Sequence, residues 1–226
     1  MEIATYKKLD EAWNDAVRSL CESLGHKGTC SVYQLEKYSR PRFRKSSRYI
    51  ISGVSGSGKT TFGKMLEYLA FRKLPTAIVR VPRPEEIQGL DYIFLKEDTF
   101  RQWRESHEFF FSHITNGNLH GFLRSHLSVL KSGGGKFYLD KSVRSTRQLF
   151  PYLKSSCMLI YLLPPSLDEL YIRLKNREAL ASGLNDQEII SRFQEEIDEL
   201  RQSAELPYTY VVNDNVGALL NLLSKV

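Results

Sequence analysis

Cysteine is scarce: Cys21, Cys30 and Cys157 are odd in number and form no CxxC pair. A disulfide framework and a zinc site are therefore not expected, and a reducing compartment fits best. Long apolar runs are missing too. The longest, Cys157 to Leu163, is far short of the roughly 18–20 residues of a membrane helix. The first residues, Met1-Glu-Ile-Ala-Thr-Tyr-Lys-Lys8, are too charged for a secretory apolar core. The expected protein is soluble and cytoplasmic, with no membrane partner. There is no aromatic-rich strand pattern, helix-turn-helix signature or zinc-finger spacing, so nucleic acid is not an expected partner. No feature specifies an oligomer.

What is present is an ordinary globular balance of 42% hydrophobic and 26% charged residues over 226 positions, enough to bury a core unaided. The formal charge of +6 is concentrated. Arg40, Arg42, Arg44, Lys45 and Arg48 lie in one short stretch that contains no acid, and the rest of the chain is close to neutral. That stretch reads as a solvated linker. Before it, Leu9, Trp13, Ala16, Val17, Leu20 and Leu24 have helical spacing and predict an amphipathic helix over 4–24 packed on the chain's own core.

From Arg48 onward strands alternate with helices. Strands are expected at 49–53, 76–80, 137–140, 158–163 and 208–212. Helices are expected near 59–73, 97–107, 120–131, 144–153, 166–178, 187–203 and 215–224. Ser166-Leu-Asp-Glu169 has capping-box spacing after two prolines. Alternation of this kind implies an α/β fold with a parallel sheet wrapped by helices. The expected division is an N-terminal extension and linker, 1–47, followed by a catalytic domain, 48–226.

Gly53-Val-Ser55-Gly56-Ser57-Gly58-Lys59-Thr60 matches G-x-x-x-x-G-K-[ST], the P-loop. Glycines let successive N–H groups turn inward around phosphate oxygens, and the following helix adds its positive end. Lys59 is the expected contact for the β- and γ-phosphates, and the Thr60 hydroxyl the expected Mg²⁺ ligand. Phe137-Tyr-Leu-Asp140 is an apolar strand ending in an acid suited to the metal's hydration shell. The expected ligands are ATP and Mg²⁺, with Gly53, Ser55, Gly56, Ser57, Gly58, Lys59, Thr60 and Thr61 around the phosphates. Thr60 and Asp140 are the metal-side pair.

The next segment, Thr76 to Phe94, brings Arg80, Arg83 and Tyr92 together, a set suited to a second anion because Arg grips phosphate bidentately. Thr76, Arg80, Pro82, Arg83, Glu86, Gly89, Asp91, Tyr92 and Phe94 fall in the spacing S-x-T-T-R-x-P-R-x-G-E-x-x-G-x-D-Y-x-F, and in this the chain resembles the guanylate kinase family. Leu163-Pro-Pro-Ser-Leu-Asp-Glu-Leu170, the arginines Arg173, Arg177 and Arg192, and Val212-Asn213-Asp214 also match. The resemblance implies a P-loop kinase fold of three layers with an acceptor-binding lobe and a lid. It implies an ATP-dependent phosphotransferase with a phosphorylated small-molecule acceptor. By the same resemblance Thr76, Arg80, Arg83 and Tyr92 hold the acceptor phosphate. Lys59, Arg173, Arg177 and Arg192 surround the transferring group, and Asn213 belongs to the nucleotide site.

The departures concern the base of the acceptor. Aligned from Tyr92, the family's guanine-reading glutamate falls on Phe111. Its Tyr-Gly-Ser element becomes His120-Gly121-Phe122, and the second acid of its D-x-D becomes Ser142. The carboxylates that would take guanine's N–H donors are absent, so Phe111, His120 and Ser142 are expected to line a site for an acceptor other than GMP. The lid also differs: the stretch from Arg173 to Arg192 is longer, and Glu178 replaces the glycine after Arg177. Two other readings stay open. One is a sugar-phosphate kinase of the ribose 1,5-bisphosphate type, to whose strand end Asp140-Lys-Ser142-Val-Arg144 is loosely similar. The other is a non-catalytic interaction module, against which the intact Gly53–Thr61 stretch counts.

Overall fold

Tyr49, Ile50 and Ile51 make an uninterrupted apolar run, which in a strand requires cover on both faces. In the computed structural model that run is β1 (Arg48–Gly53), buried along its whole length. The structure describes residues 3–115, 117–132, 134–153, 156–179, 186–224 and 226. Parallel strands run in the order β2-β7-β1-β8-β9, with β2 at Arg72–Lys73, β7 at Phe137–Asp140, β8 at Met158–Leu163 and β9 at Thr209–Val212. Tyr49 pairs with Met158 and Gly53 with Leu162, so the P-loop leaves the carboxyl end of the strand. A second sheet of four strands has the order β4-β3-β6-β5, with β3 at Thr76–Val79, β4 at Tyr92–Phe94, β5 at Phe109–Thr115 and β6 at Asn118–Leu123. The α/β class and the parallel sheet follow the expectation from sequence.

The chain forms two compact units, Met1–Met65 with Asp140–Val226, and Leu66–Leu139. In the first, α1 (Ile3–Ser23) buries Leu9, Trp13, Ala16, Val17 and Leu20 and packs along α8 (Asp186–Gln202). Its end is a Schellman turn: Gly25 has φ +86°, and the His26 N–H donates to Cys21 O at 3.0 Å. That reversal, with Gly28 at φ +125°, carries Cys30 back to Cys21. The two form a disulfide with Cα atoms 6.4 Å apart, which corrects the reading that the cysteines would stay unpaired. A helix α2 (Val32–Ser39), capped by Ser31 Oγ, follows where linker was expected. Of the basic stretch, Arg40, Arg42, Arg44 and Lys45 are exposed, as expected of a solvated linker. The stretch makes a 3₁₀ turn at Arg40–Arg42 and then enters β1, where Arg48 is buried.

α3 (Lys59–Tyr68) is shorter than the expected helix because Ala70, at φ 62°, ends it and 72–73 pair as a strand. α4 (Glu97–Glu105), α6 (Val143–Leu153), α7 (Leu167–Ala179) and α9 (Val216–Leu223) lie where expected. α5 (Arg124–Lys131) starts later than expected, since 118–123 is strand β6. Ser166 accepts from the Glu169 N–H at 3.2 Å, the cap its spacing predicts. No helix among the described residues is long and apolar enough to cross a membrane.

Candidate active site

The P-loop turns on backbone that only glycine accepts comfortably. Gly58 has φ +98°, and a Cβ there would stand 2.2 Å from Asn213 Nδ2. The same Asn213 Nδ2 donates to Ser57 O at 2.9 Å, so the end of β9 braces the loop from one side. On the other side a Cβ on Gly56 would lie 3.5 Å from Arg173 Cβ. Lys59 Nζ donates to the carbonyls of Gly53 at 2.7 Å and Val54 at 3.1 Å, holding its ammonium across the concave side of the loop. Ser57 Oγ is buried and carries no hydrogen bond among the described residues. A buried hydroxyl without a partner beside an N-terminal helix end and an ammonium fits an incoming phosphate oxygen. Thr60 and Thr61 are exposed in the first turn of α3, Ser55 is half-buried, and Asp140 is half-buried at the end of β7.

Arg173 sits on α7 within reach of this loop. Its Nε donates to Glu169 Oε1 at 2.7 Å and its Nη2 to Asn213 O at 2.8 Å. Arg192 is half-buried on α8. Arg177 is also on α7, but its side chain lies outside the described residues, as do 180–185 of the expected lid. Sequence reading missed Glu199. This α8 carboxylate accepts the Val143 N–H at 2.8 Å, at the start of α6. Burial and the charge of Glu196 push it up to about 7, against the pull of that N–H and of Lys59.

Because the folded protein holds this proton more tightly than the unfolded chain, stability falls as pH rises from about 4.5 to about 7, and the penalty is complete above that range. Glu199→Gln keeps the acceptor oxygen without the charge. It should leave stability at pH 4.5 unchanged and raise it at pH 8 by about 1–3 kcal/mol. Urea unfolding at both pH values measures this; an equal shift at the two would show that charge is not the cause.

In the second unit, strand alternation sorts the expected acceptor residues. Thr76 and Ile78 of β3 lie level with Tyr92 and Phe94 of β4, and Ile78 also with His120 of β6. His120 pairs with His113 of β5, and Phe122 with Phe111. Thr76, Tyr92, Phe94, Phe111, His113, His120 and Phe122 therefore share one face. The Arg80 guanidinium lies over it, 5.2 Å from the Tyr92 ring centre and 5.3 Å from that of Phe94. His113 and His120 stack at 5.6 Å with an interplanar angle of 9°, and Phe111 stacks on Phe122 at 5.6 Å. No carboxylate occurs among these strand positions. The opposite face, with Ala77, Val79, Ile93, Phe109 and Leu119, packs against Phe100 and Trp103 of α4.

Glu86 grips Arg80 bidentately, with Nη1 to Oε2 at 2.7 Å and Nη2 to Oε1 at 2.5 Å, and also accepts the Arg83 N–H at 2.8 Å. Burial pushes the Glu86 carboxyl up, but these donors and the two positive charges outweigh it and hold it below the usual range. Glu86 thus orients both arginines. Phe122 is fully buried, as plain core packing requires, whereas Phe111 and His120 are half-buried. Ser142 belongs to the first unit. Its hydroxyl accepts the Ser145 N–H at 3.2 Å and caps α6, a local duty that accounts for a serine there.

The residues 45–225 match the family model for guanylate kinase. Among curated proteins, a guanylate kinase of Novosphingobium aromaticivorans is 32% identical over 190 residues, covering 81% of each chain. One of Pseudomonas syringae pv. tomato is 33% identical over 190 residues, covering 78% of this chain and 85% of its own. The crystal structure of guanylate kinase from Anaplasma phagocytophilum superposes with a TM-score of 0.61 at 20% identity, over 79% of this chain and 82% of that one, a likeness of fold.

Proposed function

The chain belongs to the guanylate kinase family, and on that premise we propose that it moves the γ-phosphoryl group of ATP onto the phosphate of a nucleoside monophosphate whose base is read by aromatic rings and imidazoles instead of carboxylates. Residues 48–226 carry this activity, with 1–47 as an extension. The P-loop amides, Ser57 and Lys59 hold the donor phosphates. Thr60 and Asp140 hold Mg²⁺, which when bound neutralises charge between the phosphates. Arg80, oriented by Glu86, takes the acceptor phosphate together with Arg83, Thr76 and Tyr92. Arg173, Arg177 and Arg192 supply positive charge to the migrating group, which needs positioning and electrostatic support more than covalent help.

The single observation that carries the reading is the face of the four-stranded sheet. An arginine at one end continues into half-buried Phe111, His113 and His120, with buried Phe122 stacked behind Phe111, and no carboxylate stands among these strand positions. Guanine placed there leaves two donors without acceptors, at about 1–3 kcal/mol each, or on the order of 10²-fold in discrimination. Stacked rings suit a planar base better than a sugar bisphosphate, so the nucleotide reading is preferred.

A coupled ADP-release assay over GMP, dGMP, AMP, the pyrimidine monophosphates and ribose 1,5-bisphosphate tests this. One non-guanine monophosphate should exceed GMP in kcat/KM by on the order of 10²-fold. Efficient GMP turnover at micromolar KM would overturn the altered base site. Turnover of ribose 1,5-bisphosphate alone would give the sugar-phosphate reading. No turnover together with no ATP binding would make the chain a non-catalytic module.

A further inference from the structure

β9 is an outer strand of the parallel sheet, paired with β8 from Thr209 to Val212. The Asn213 N–H donates to Leu163 O on the β8 side, so the N–H groups of Tyr210 and Val212 face outward, along an edge that needs cover. Residues 36–42 supply that cover. Ser39 Oγ accepts the Tyr210 N–H at 2.8 Å, and its own proton reaches Glu36 O at 3.0 Å or Tyr210 O at 3.4 Å. Arg42 Nη1 donates to Tyr208 O at 3.5 Å. The Glu36 carboxylate takes the Val212 N–H; burial pushes this carboxyl up, against the pull of Arg40 and of that N–H. Ser39 is fully buried, so its hydroxyl serves these contacts and not water.

The helix that carries Glu36 and Ser39 is itself anchored. Val32 and Leu35 of α2 are buried, and Cys30, next to the cap residue Ser31, is bonded to Cys21 of α1. One residue past Val212, the strand delivers Asn213 to the P-loop. Asn213 Nδ2 donates to Ser57 O at 2.9 Å and lies against Gly58, where a Cβ would stand 2.2 Å from it. The Asn213 carbonyl accepts Arg173 Nη2 at 2.8 Å. A shift of Asn213 toward the loop therefore meets backbone, and a shift away breaks the bond to Ser57. All these elements belong to the first unit, and residues 36–42 precede residue 45, where the family match begins.

We infer that Ser39 and Glu36 are positioning residues for the donor nucleotide: by gripping the Tyr210 and Val212 N–H groups they set the end of β9, and through Asn213 the P-loop and Arg173. They touch no substrate themselves. Displacements of about 1 Å far from the chemistry can cost on the order of 10²-fold in rate, so a grip on the strand edge is enough to matter. The inference rests on the kinase reading, and it gives the segment before residue 45 a part in the donor site.

ATP with Mg²⁺ is titrated calorimetrically into the full chain and into Ser39→Ala, Glu36→Ala and Glu36→Gln, with amide hydrogen exchange of the same proteins. Ser39→Ala and Glu36→Ala should each weaken ATP binding by at least about fivefold, the scale of one lost hydrogen bond. Exchange at Tyr210 should quicken in the first, and at Val212 in the second. Glu36→Gln keeps an oxygen that accepts the Val212 N–H and should bind ATP within about twofold of the unaltered chain. Glu36 is half-buried, so its variants keep the test valid if Ser39→Ala misfolds. A lower urea midpoint with ATP affinity unchanged would make the grip structural only and overturn the inference; so would a Glu36→Gln defect equal to that of Glu36→Ala. Failure of the unaltered chain to bind ATP would instead overturn the kinase reading on which the inference rests.

Discussion

Lys59→Ala should lower kcat for phosphoryl transfer by on the order of 10²–10³-fold, the scale of losing one cationic or hydrogen-bond donor aimed at developing charge. The fold should survive, because the two bonds Lys59 makes are to loop carbonyls and are worth about 1 kcal/mol each. The asymmetry between those magnitudes is the test. Unfolding by urea should shift little, and single-turnover transfer should collapse. Retained transfer would mean that the ammonium does not serve the donor phosphates. Loss of folding alongside activity would mean that it serves as a clamp on Gly53 and Val54. Lys59→Arg is a useful companion: it keeps the charge, but its planar fork replaces a compact ammonium.

Arg80→Ala should act on the other substrate. Its guanidinium is fixed between Glu86, the Val81 carbonyl and the rings of Tyr92 and Phe94, which holds a positive charge in place on this face. Removing it strips the acceptor phosphate of a bidentate partner and leaves Glu86 half-buried without its principal counter-charge. A fall of on the order of 10²-fold in kcat/KM for the acceptor is expected, about 3 kcal/mol, with KM for ATP unchanged. Steady-state kinetics with each substrate varied separately measures it. An acceptor KM and kcat equal to those of the unaltered protein would remove Arg80 from the site. Glu86→Gln should give a weaker version of the same defect, since it loosens Arg80 without deleting it.

The P-loop motif and four of the five strands of the parallel sheet were legible in the sequence, because each is a local pattern, glycine spacing or an apolar run; Arg72–Lys73 read as helix. The hairpin of β5 and β6 was not. Phe109-Phe-Phe111 is apolar at three successive positions, which hides alternation, and 120–131 read as one helix. The signal was there in the dipeptide Asn116-Gly117, a hairpin signal in the sequence, and Thr115 pairs with Asn118. A register shift between Phe109 and Phe111 explains the masking, because it sends two residues of like parity to opposite faces. Glu199 was illegible for another reason. Its role comes from the meeting of α8 with the start of α6, 56 residues apart in the chain, and no local pattern marks it. The disulfide escaped because Cys21 and Cys30 meet only through the turn at Gly25 and Gly28. Of the basic stretch, Arg48 alone departs from the solvation that charge density predicts, because strand β1 carries it inside.

The one-sided display on the four-stranded sheet bears on how this protein can change. On β3, β4 and β6 the even-numbered residues share one face and the odd-numbered ones the face packed on α4; beyond the shift, β5 puts odd numbers on the first, where Ile78 and Phe122 are nonetheless buried. On the proposed reading, specificity and stability are thereby written on separate letters of the same strands. Replacing Phe111, His113 or His120 should then, on that reading, alter acceptor preference while Phe109, Leu119 and Ala77 keep their packing on α4. Insertion or deletion of a single residue is a different matter. It would exchange the two alphabets at once, putting imidazoles against Phe100 and leucines toward the ligand. On the proposed reading, ligand choice is open to change by point substitution, whereas a change of length within these strands disrupts the packed face.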